Sequence, residues 1–360
     1  MISQSRTRRC APGVVALALA SSLTACGGSP PTSAEGRTPS FGPAQRTSYP
    51  LTLDNCGQKL TFSQPPRRVL ILNGASVGEV ESLLALGLGK SVIANAQSYG
   101  VSDDPSMVAA IKALPTGGLS TNGNFDVPAE QVLAAKPDLV ISTWSGGFDA
   151  KKGFATRERL AAAGIQTLVN PANCALGKPE ATPEEKRALK NQSTNSSLEF
   201  IALLGRVFDV QQRAVELIGR IRARIDAVRT RVAGRPPKKV LIVYPGMAAM
   251  NANGLPAVMT GGIYDDIVTA AGGVNAFAGR GEETTRTLTK EQLATAQVDV
   301  LVVGRYTPAE RPEAEATKLF AQFPHWNAAK TRTFTVVSDS VYLGPLNAVA
   351  VERLAQVMHR

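Results

Sequence analysis

Residues 209–234 read DVQQRAVELIGRIRARIDAVRTRVAG, and this stretch decides how the rest of the chain is organised. Val210, Ala214, Leu217, Ile218, Ile221, Ile225, Val228 and Val232 recur at three- and four-residue spacing, the pattern of one helical face. Asp209 is placed to cap the start, no proline interrupts the run, and Gly234 followed by Pro236 and Pro237 ends it. At 1.5 Å per residue such a helix reaches roughly 35 Å, more than a crossover helix within one domain needs. The spacing predicts a strut, 209–234, between two bodies, 47–208 and 235–360.

The flanking segments share one plan. On the N-terminal side, Arg68-Val69-Leu70-Ile71-Leu72 is a continuous apolar run of the kind buried on both faces of a parallel sheet. A helix from Glu79 to Leu86 ends at Gly87, and Val92-Ile93-Ala94 follows as a strand. Pro128 opens another helix, which leads into strand Leu139 to Ile141; helix Arg157 to Ala163 then precedes strand Gln166 to Val169. On the C-terminal side, Lys239 to Tyr244 repeats the first strand, and helix Tyr264 to Ala271 ends at Gly272-Gly273. Helix Lys290 to Ala296, strand Asp299 to Val303, strand Thr333 to Val337 and helix Asn347 to His359 complete it. Glu130-Gln131 stands eight residues before Asp138 just as Glu291-Gln292 stands eight before Asp299, so at this one place the halves can be laid over each other without a gap. The expected fold is α/β: two similar lobes with central, mostly parallel sheets, joined by one long interdomain helix. Ahead of the first lobe, Tyr49 to Asp54 and Leu60 to Phe62 alternate around Asn55-Cys56-Gly57 as a small hairpin.

The first 25 residues fall outside the fold. A basic start (Arg6, Arg8, Arg9), an apolar run from Val14 to Ala20 and the sequence Leu23-Thr24-Ala25-Cys26-Gly27 resemble the lipobox of bacterial lipoproteins. The resemblance implies that cleavage leaves Cys26 as the first residue, with lipid on its thiol; an ordinary secretory signal cut after Ala25 is the alternative. Residues 26–46, rich in Gly, Ser, Pro and Thr, read as a flexible tether with a reach of roughly 25 Å.

Without the leader's three arginines the balance is 36 basic to 29 acidic side chains, or +7. That suits an anionic ligand or surface and does not by itself point to nucleic acid. No later stretch approaches the roughly 18 apolar residues of a membrane span. Cys56 and Cys174, in a chain sent to an oxidising compartment, are expected to pair and tie the hairpin to the loop around Pro171; two free thiols are the alternative. With only His325 and His359 in the chain, no zinc site is expected.

From Tyr49 onward the chain resembles the substrate-binding proteins of ABC importers for iron chelates, cobalamin and haem, which have two α/β lobes and one rigid interdomain helix. The residues that carry the resemblance are Arg67 to Leu72 after a proline pair, the helix end Leu84-Ala85-Leu86-Gly87, Lys136-Pro137-Asp138-Leu139-Val140-Ile141, Ala271 to Ala276, and the helix from Asn347 to Leu354. It implies capture of a bulky ligand such as a ferric chelate outside the membrane and delivery to an ABC permease with a cytoplasmic ATPase, by a lipid-anchored monomer without a cofactor. It also implies small lobe movements, because the helix is stiff. In this class docking to the permease uses one acidic side chain per lobe; the candidates are Glu79, Glu81 or Glu158 and Asp265 or Asp266.

Ligands of open α/β sheets bind beyond the carboxyl ends of the strands, a rule that selects loops without help from any family. Those loops carry Tyr99, Trp144 and Phe148 on one lobe and Tyr244, Arg280, Arg286, Arg305, Tyr306 and Tyr342 on the other. Aromatic rings with a few arginines suit a large, flat, anionic chelate, and Met247 and Met250 add adaptable apolar contact. Catecholate siderophores fit the basic balance, Trp144 keeps cobalamin open, and haem would call on a tyrosine. The other function classes are an exported sensor on the same scaffold and an exported enzyme. For the enzyme, the sequence offers no Gly-x-Ser-x-Gly, P-loop or His-Glu-x-x-His motif, and only a carboxylate pair such as Asp103 and Glu283.

Overall fold

The computed structural model describes residues 45–251, 254–280 and 287–360. The leader, Cys26, almost all of the tether, Glu283 and Arg286 lie outside the described residues. The fold is α/β, with a sheet on either side of one long helix.

The hairpin pairs β1 (Leu51–Asn55) with β2 (Gln58–Phe62) antiparallel, Leu51 opposite Phe62. Cys56 and Gly57 both take left-handed backbone angles, the two-residue turn whose twist matches a hairpin. Cys56 is disulfide-bonded to Cys174, 118 residues on.

The first sheet contains β3 (Val69–Ile71), β4 (Val92–Asn95), β5 (Leu139–Ser142) and β6 (Gln166–Val169), parallel in the order β4-β3-β5-β6. Its helices are α1 (Val77–Ala85), α2 (Pro105–Lys112), α3 (Ala129–Ala134) and α4 (Arg157–Ala162). Arg157 of α4 is buried and bonded to Asn55 and Thr167, which fixes the hairpin to β6; burial lowers its pKa to about 10.

Three helices then run to the second lobe: α5 (Pro183–Lys190), α6 (Thr194–Val207) and α7 (Gln211–Val232). α7 is the helix expected from the periodicity, 22 residues long and so about 33 Å. Its buried residues are Ala214, Ile218, Ile221, Ile225, Val228 and Val232, at alternating spacings of four and three. Asp209 does not cap it. Val210 takes the cap position without a side-chain bond, while Asp209 binds the Thr47 amide (2.8 Å) and the Arg46 guanidinium (2.7 Å) of the incoming chain.

The second sheet has β7 (Lys238–Tyr244), β8 (Ala257–Met259), β9 (Gly273–Asn275), β10 (Val300–Gly304) and β11 (Phe334–Val337). Around it lie α8 (Gly262–Ala270), α9 (Lys290–Thr295), α10 (Pro312–Gln322), α11 (Asn327–Thr331) and α12 (Asn347–Met358). The order β9-β7-β10-β11 is that of β4-β3-β5-β6, parallel throughout, so the repeated plan extends to strand order. The departure is β8, antiparallel, which takes the carboxyl half of the β7 edge (Ile242–Tyr244) while β9 takes the amino half (Lys238–Val240).

Strand alternation sorts the core. Val69, Ile71, Val240 and Ile242 point into one apolar cluster that runs from the first sheet through α6 and α7 to α12 in the second lobe. Leu70 and Val140 pack on the opposite face of the first sheet, and Leu241, Val243 and Trp326 on that of the second. The long helix is thus more than a strut. It lies in a core that both lobes share, and each buried isoleucine on it contributes about 2 kcal/mol of burial.

Candidate ligand-binding seam between the lobes

The carboxyl ends of the strands bring the selected loops together, and in this structure the loops of the two lobes touch. α1 begins beside the second lobe: the Gly78 amide donates to Asp339 (3.0 Å), and a Cβ on Gly78 would stand 2.1 Å from the Leu343 carbonyl oxygen, so only glycine permits this approach. The Gly100 amide donates to the Tyr306 carbonyl (2.9 Å), and the Asp339 amide to that of Val101 (3.1 Å). Asp103 pairs with Arg353 of α12 and accepts from the Ser338 (2.7 Å) and Ser340 (3.2 Å) amides.

The tyrosines lie along this seam. The rings of Tyr99 and Tyr306, one from each lobe, stack at 5.7 Å, and Asn173 hydrogen-bonds the Tyr342 hydroxyl (3.0 Å). Tyr244 is interior: its ring packs on Gly304 and its hydroxyl donates to the Ser338 carbonyl (2.5 Å). Burial raises the pKa of Tyr99, Tyr244 and Tyr306, so all three are neutral phenols at physiological pH.

The acids proposed for docking sort by burial. Glu79 is 1% exposed; it completes the capping box of α1 with Ser76 (2.9 Å to its amide) and accepts from Thr143 (2.5 Å) and Asn170 (2.9 Å). Glu81, also 1% exposed, leaves Oε1 without a partner, and burial, reinforced by Asp339, holds its pKa well above the usual carboxylate range. Asp266 accepts from the Thr194 amide (2.7 Å) and hydroxyl (2.8 Å), joining α8 to the start of α6. Asp265 is half-buried near Thr260 (3.5 Å). Glu158 is exposed and accepts from Gln58.

On the first lobe Trp144 forms a fixed platform. A Cβ on Gly146 would come within 2.2 Å of the indole, so the ring lies flat on bare backbone, and the Lys152 ammonium stands 4.8 Å from the ring centre. Nearby, the Asp126 carboxylate accepts the Asn73 (2.8 Å), Gly74 (2.7 Å) and Val127 (2.8 Å) amides and pins the loop that carries Phe125. Phe125 is 78% exposed and has φ 64°. A bulky side chain held in the left-handed region with its ring in solvent points to a ligand surface. It was missed as an individual residue, although an aromatic among Thr121, Asn122, Gly123 and Asn124 has no apolar neighbours to pack with, which was the available signal. Phe148 lies in the interior, with the Arg157 guanidinium 5.9 Å from its ring. On the second lobe Arg305 is half-buried with its Nε unpartnered, and Arg280 is exposed beside Phe277.

The periplasmic binding protein family profile matches residues 75–336. The chain belongs to that family. No curated protein matches the chain. Among solved structures, this periplasmic binding protein is similar to one described as an ABC-type Fe3+-hydroxamate transport system from Saccharomonospora viridis: 22% identity, 87% of this chain and 100% of that one, TM-score 0.61. It is also similar to a periplasmic binding protein from Veillonella parvula (19%, 86% and 97%, TM-score 0.66) and a periplasmic haem-binding protein of Vibrio cholerae (18%, 81% and 99%, TM-score 0.58). At these identities the likeness shows the fold. Within it, this periplasmic binding protein sets a tryptophan platform, an exposed phenylalanine and a lysine at the carboxyl ends of the first-lobe strands. Tyrosines and Arg305 stand at the corresponding end of the second.

Proposed function

We propose that this periplasmic binding protein is an exported lipoprotein, anchored through Cys26 to the outer face of the cell membrane. It captures a bulky, anionic ferric chelate of the siderophore type between the lobes and hands it to an ABC permease. The observation that carries the ligand class is the Trp144, Phe125 and Lys152 group: a ring on bare backbone with a cation beside it and an exposed ring on the neighbouring loop, suited to stacking on a flat anion. Among the described residues no group of three or more His, Cys, Asp or Glu is placed to hold a metal ion, which favours iron arriving enclosed in its own ligand. The similarity to a structure described as an Fe3+-hydroxamate transport system supports the same class. Docking to the permease falls to acids outside the seam, of which Glu158 is the exposed candidate.

The chain has two tryptophans, and Trp326 is 1% exposed inside the second-lobe core, so a ligand can touch Trp144 alone, and the difference between the parent and Trp144→Phe isolates its emission. Titration with ferric hydroxamates and catecholates should quench the emission of the parent chain and not that of Trp144→Phe. Quenching by haemin or cobalamin alone would reassign the ligand. The absence of any response or mobility shift across all of them would overturn a transport role.

A further inference from the structure

Six arginines and two acids lie on α7, whose outer side contacts neither sheet. Arg213, Arg220, Arg224 and Arg231 follow one another at intervals of seven, four and seven, which puts them within about 20° of one line along the helix. All four are exposed. Arg213 also donates to the Leu86 carbonyl (2.8 Å) at the end of α1, and Arg224 pairs with Glu352 (2.7 Å). Arg220 and Arg231 have no hydrogen-bond or ion-pair partner among the described residues.

The C-terminal half of the row borders a groove of about 760 Å³ between α7 and α12. Its buried lining is apolar, with Val228, Val232 and Ala355 as the floor, and its more exposed lining is mostly basic, with Arg231 and Arg235 and with Glu352 as an acid already paired to Arg224. This face lies opposite the seam. Leu86 ends the helix that Gly78 begins at the seam, and the groove lies where α7 gives way to β7, at the amino end of that strand.

The chain enters the body beside the start of α7, where Asp209 holds Arg46 and Thr47 and the Arg206 carbonyl accepts from the Thr47 hydroxyl (2.7 Å). Arg213 is about one turn further on. From its composition, the segment between Cys26 and this point has a reach of about 25 Å. An anchor at Cys26 is therefore attached to the body at this end of α7.

We propose that the arginine row of α7 and the groove beside it form a surface for anionic phospholipid headgroups, which lays the protein on its own membrane with the interlobe seam turned outward. The row supplies charge to the phosphates, and the apolar floor accommodates the glycerol and upper acyl carbons. This rests on the reading of Cys26 as the lipid anchor. Delivery of the ligand from the seam to a permease then requires the protein to leave this surface and turn over. Contacts made mostly through solvated arginines, screened by salt, are weak enough to allow that.

The test uses the chain from residue 26 with Cys26→Ser, so that no lipid is attached; all the sheets and cores described above lie within it. It should co-sediment with phosphatidylcholine vesicles containing about a quarter phosphatidylglycerol, stay in solution with phosphatidylcholine alone, and be released by high salt. The pair Arg220→Glu and Arg231→Glu should lower the partition by about tenfold or more with an unchanged melting midpoint. Equal sedimentation with both vesicle types, or a charge-reversed pair that partitions like the parent, overturns the proposal. Release by millimolar inorganic phosphate at constant ionic strength overturns it too, because it would show a small-anion site. Ligand quenching of Trp144 in the charge-reversed pair is the separate control: it tests the transport reading and is independent of the vesicle result.

Discussion

One oxygen of the Asp339 carboxylate, on the second lobe, accepts the Gly78 amide at the start of α1 on the first, at 3.0 Å. The bond carries an electrostatic burden. Burial, with Glu79 and Asp103 nearby, raises the pKa of Asp339 to about 8, and the Gly78 bond opposes the shift only in part. The seam therefore closes over a carboxyl group that is mostly protonated at neutral pH.

An acid whose folded pKa lies above its unfolded value near 3.9 binds more protons when folded, so stability falls as pH rises between about 4 and about 8. Asp339→Asn keeps an oxygen for the Gly78 amide and removes the charge. It should raise the melting midpoint at pH 8 by several degrees, leave it nearly unchanged at pH 4, and flatten the profile between. Parallel profiles for parent and variant would rule this account out.

Asp103→Ala removes the carboxylate that joins the first-lobe loop to Arg353 and the Ser338 and Ser340 amides. Asp103 is 4% exposed and Arg353 37%, so the loss falls below that of a fully buried pair, at about 2–3 kcal/mol. Chemical denaturation gives the size. Hydrogen exchange should locate it, with faster exchange at Ser338 and Ser340 than in β7.

Reduction of Cys56–Cys174 opens a loop of 118 residues. On the chain-entropy argument this costs about 3–5 kcal/mol. Denaturation with and without reductant should differ by that amount. Alkylation of both thiols before reduction would show that the bond does not form.

Gly146→Val places side-chain atoms where the Trp144 ring lies, 2.2 Å from a Cβ. The ring has to leave its platform. The variant should shift Trp144 emission and lose ligand quenching while keeping most of its stability, because Gly146 lies in a single 3-10 turn outside both sheets. A variant that binds like the parent would show that the platform is not where the ligand stacks.

The parallel strands, the hairpin and the doubled plan were legible because each rests on local signals: apolar runs such as Val69–Ile71, glycines after helices, and a matched interval before Asp138 and Asp299. Strand β8 was not, because three residues after a proline carry no periodicity, and α2, α5, α6, α10 and α11 went unassigned. For α6 the signal was present, since Leu198, Ile201 and Leu204 keep helical spacing and are buried. At the site, a residue's position along the chain was easier to read than the direction of its side chain. Glu79 and Glu81 stand at a helix start, where acids usually face water. Here the first turn of α1 is buried, Gly78 against Asp339 and Leu343 of the other lobe and Glu79 against Thr143 and Asn170 of its own, a fact set by tertiary packing and invisible in the residues themselves. Tyr244 and Phe148 likewise sit at strand ends yet turn inward, while Phe125, in a stretch rich in turn formers, turns out.

The clasp of Asp209 on Arg46 and Thr47 has a mechanical consequence. Tension on the segment before Arg46 enters the body at the corner between α6 and α7 and is carried first by the core in which those helices are embedded. The loops that meet at Gly78 and Asp339 are reached last. Under the proposed anchoring at Cys26, pull from the bilayer loads the most deeply packed part of the molecule and spares the contacts between the lobes.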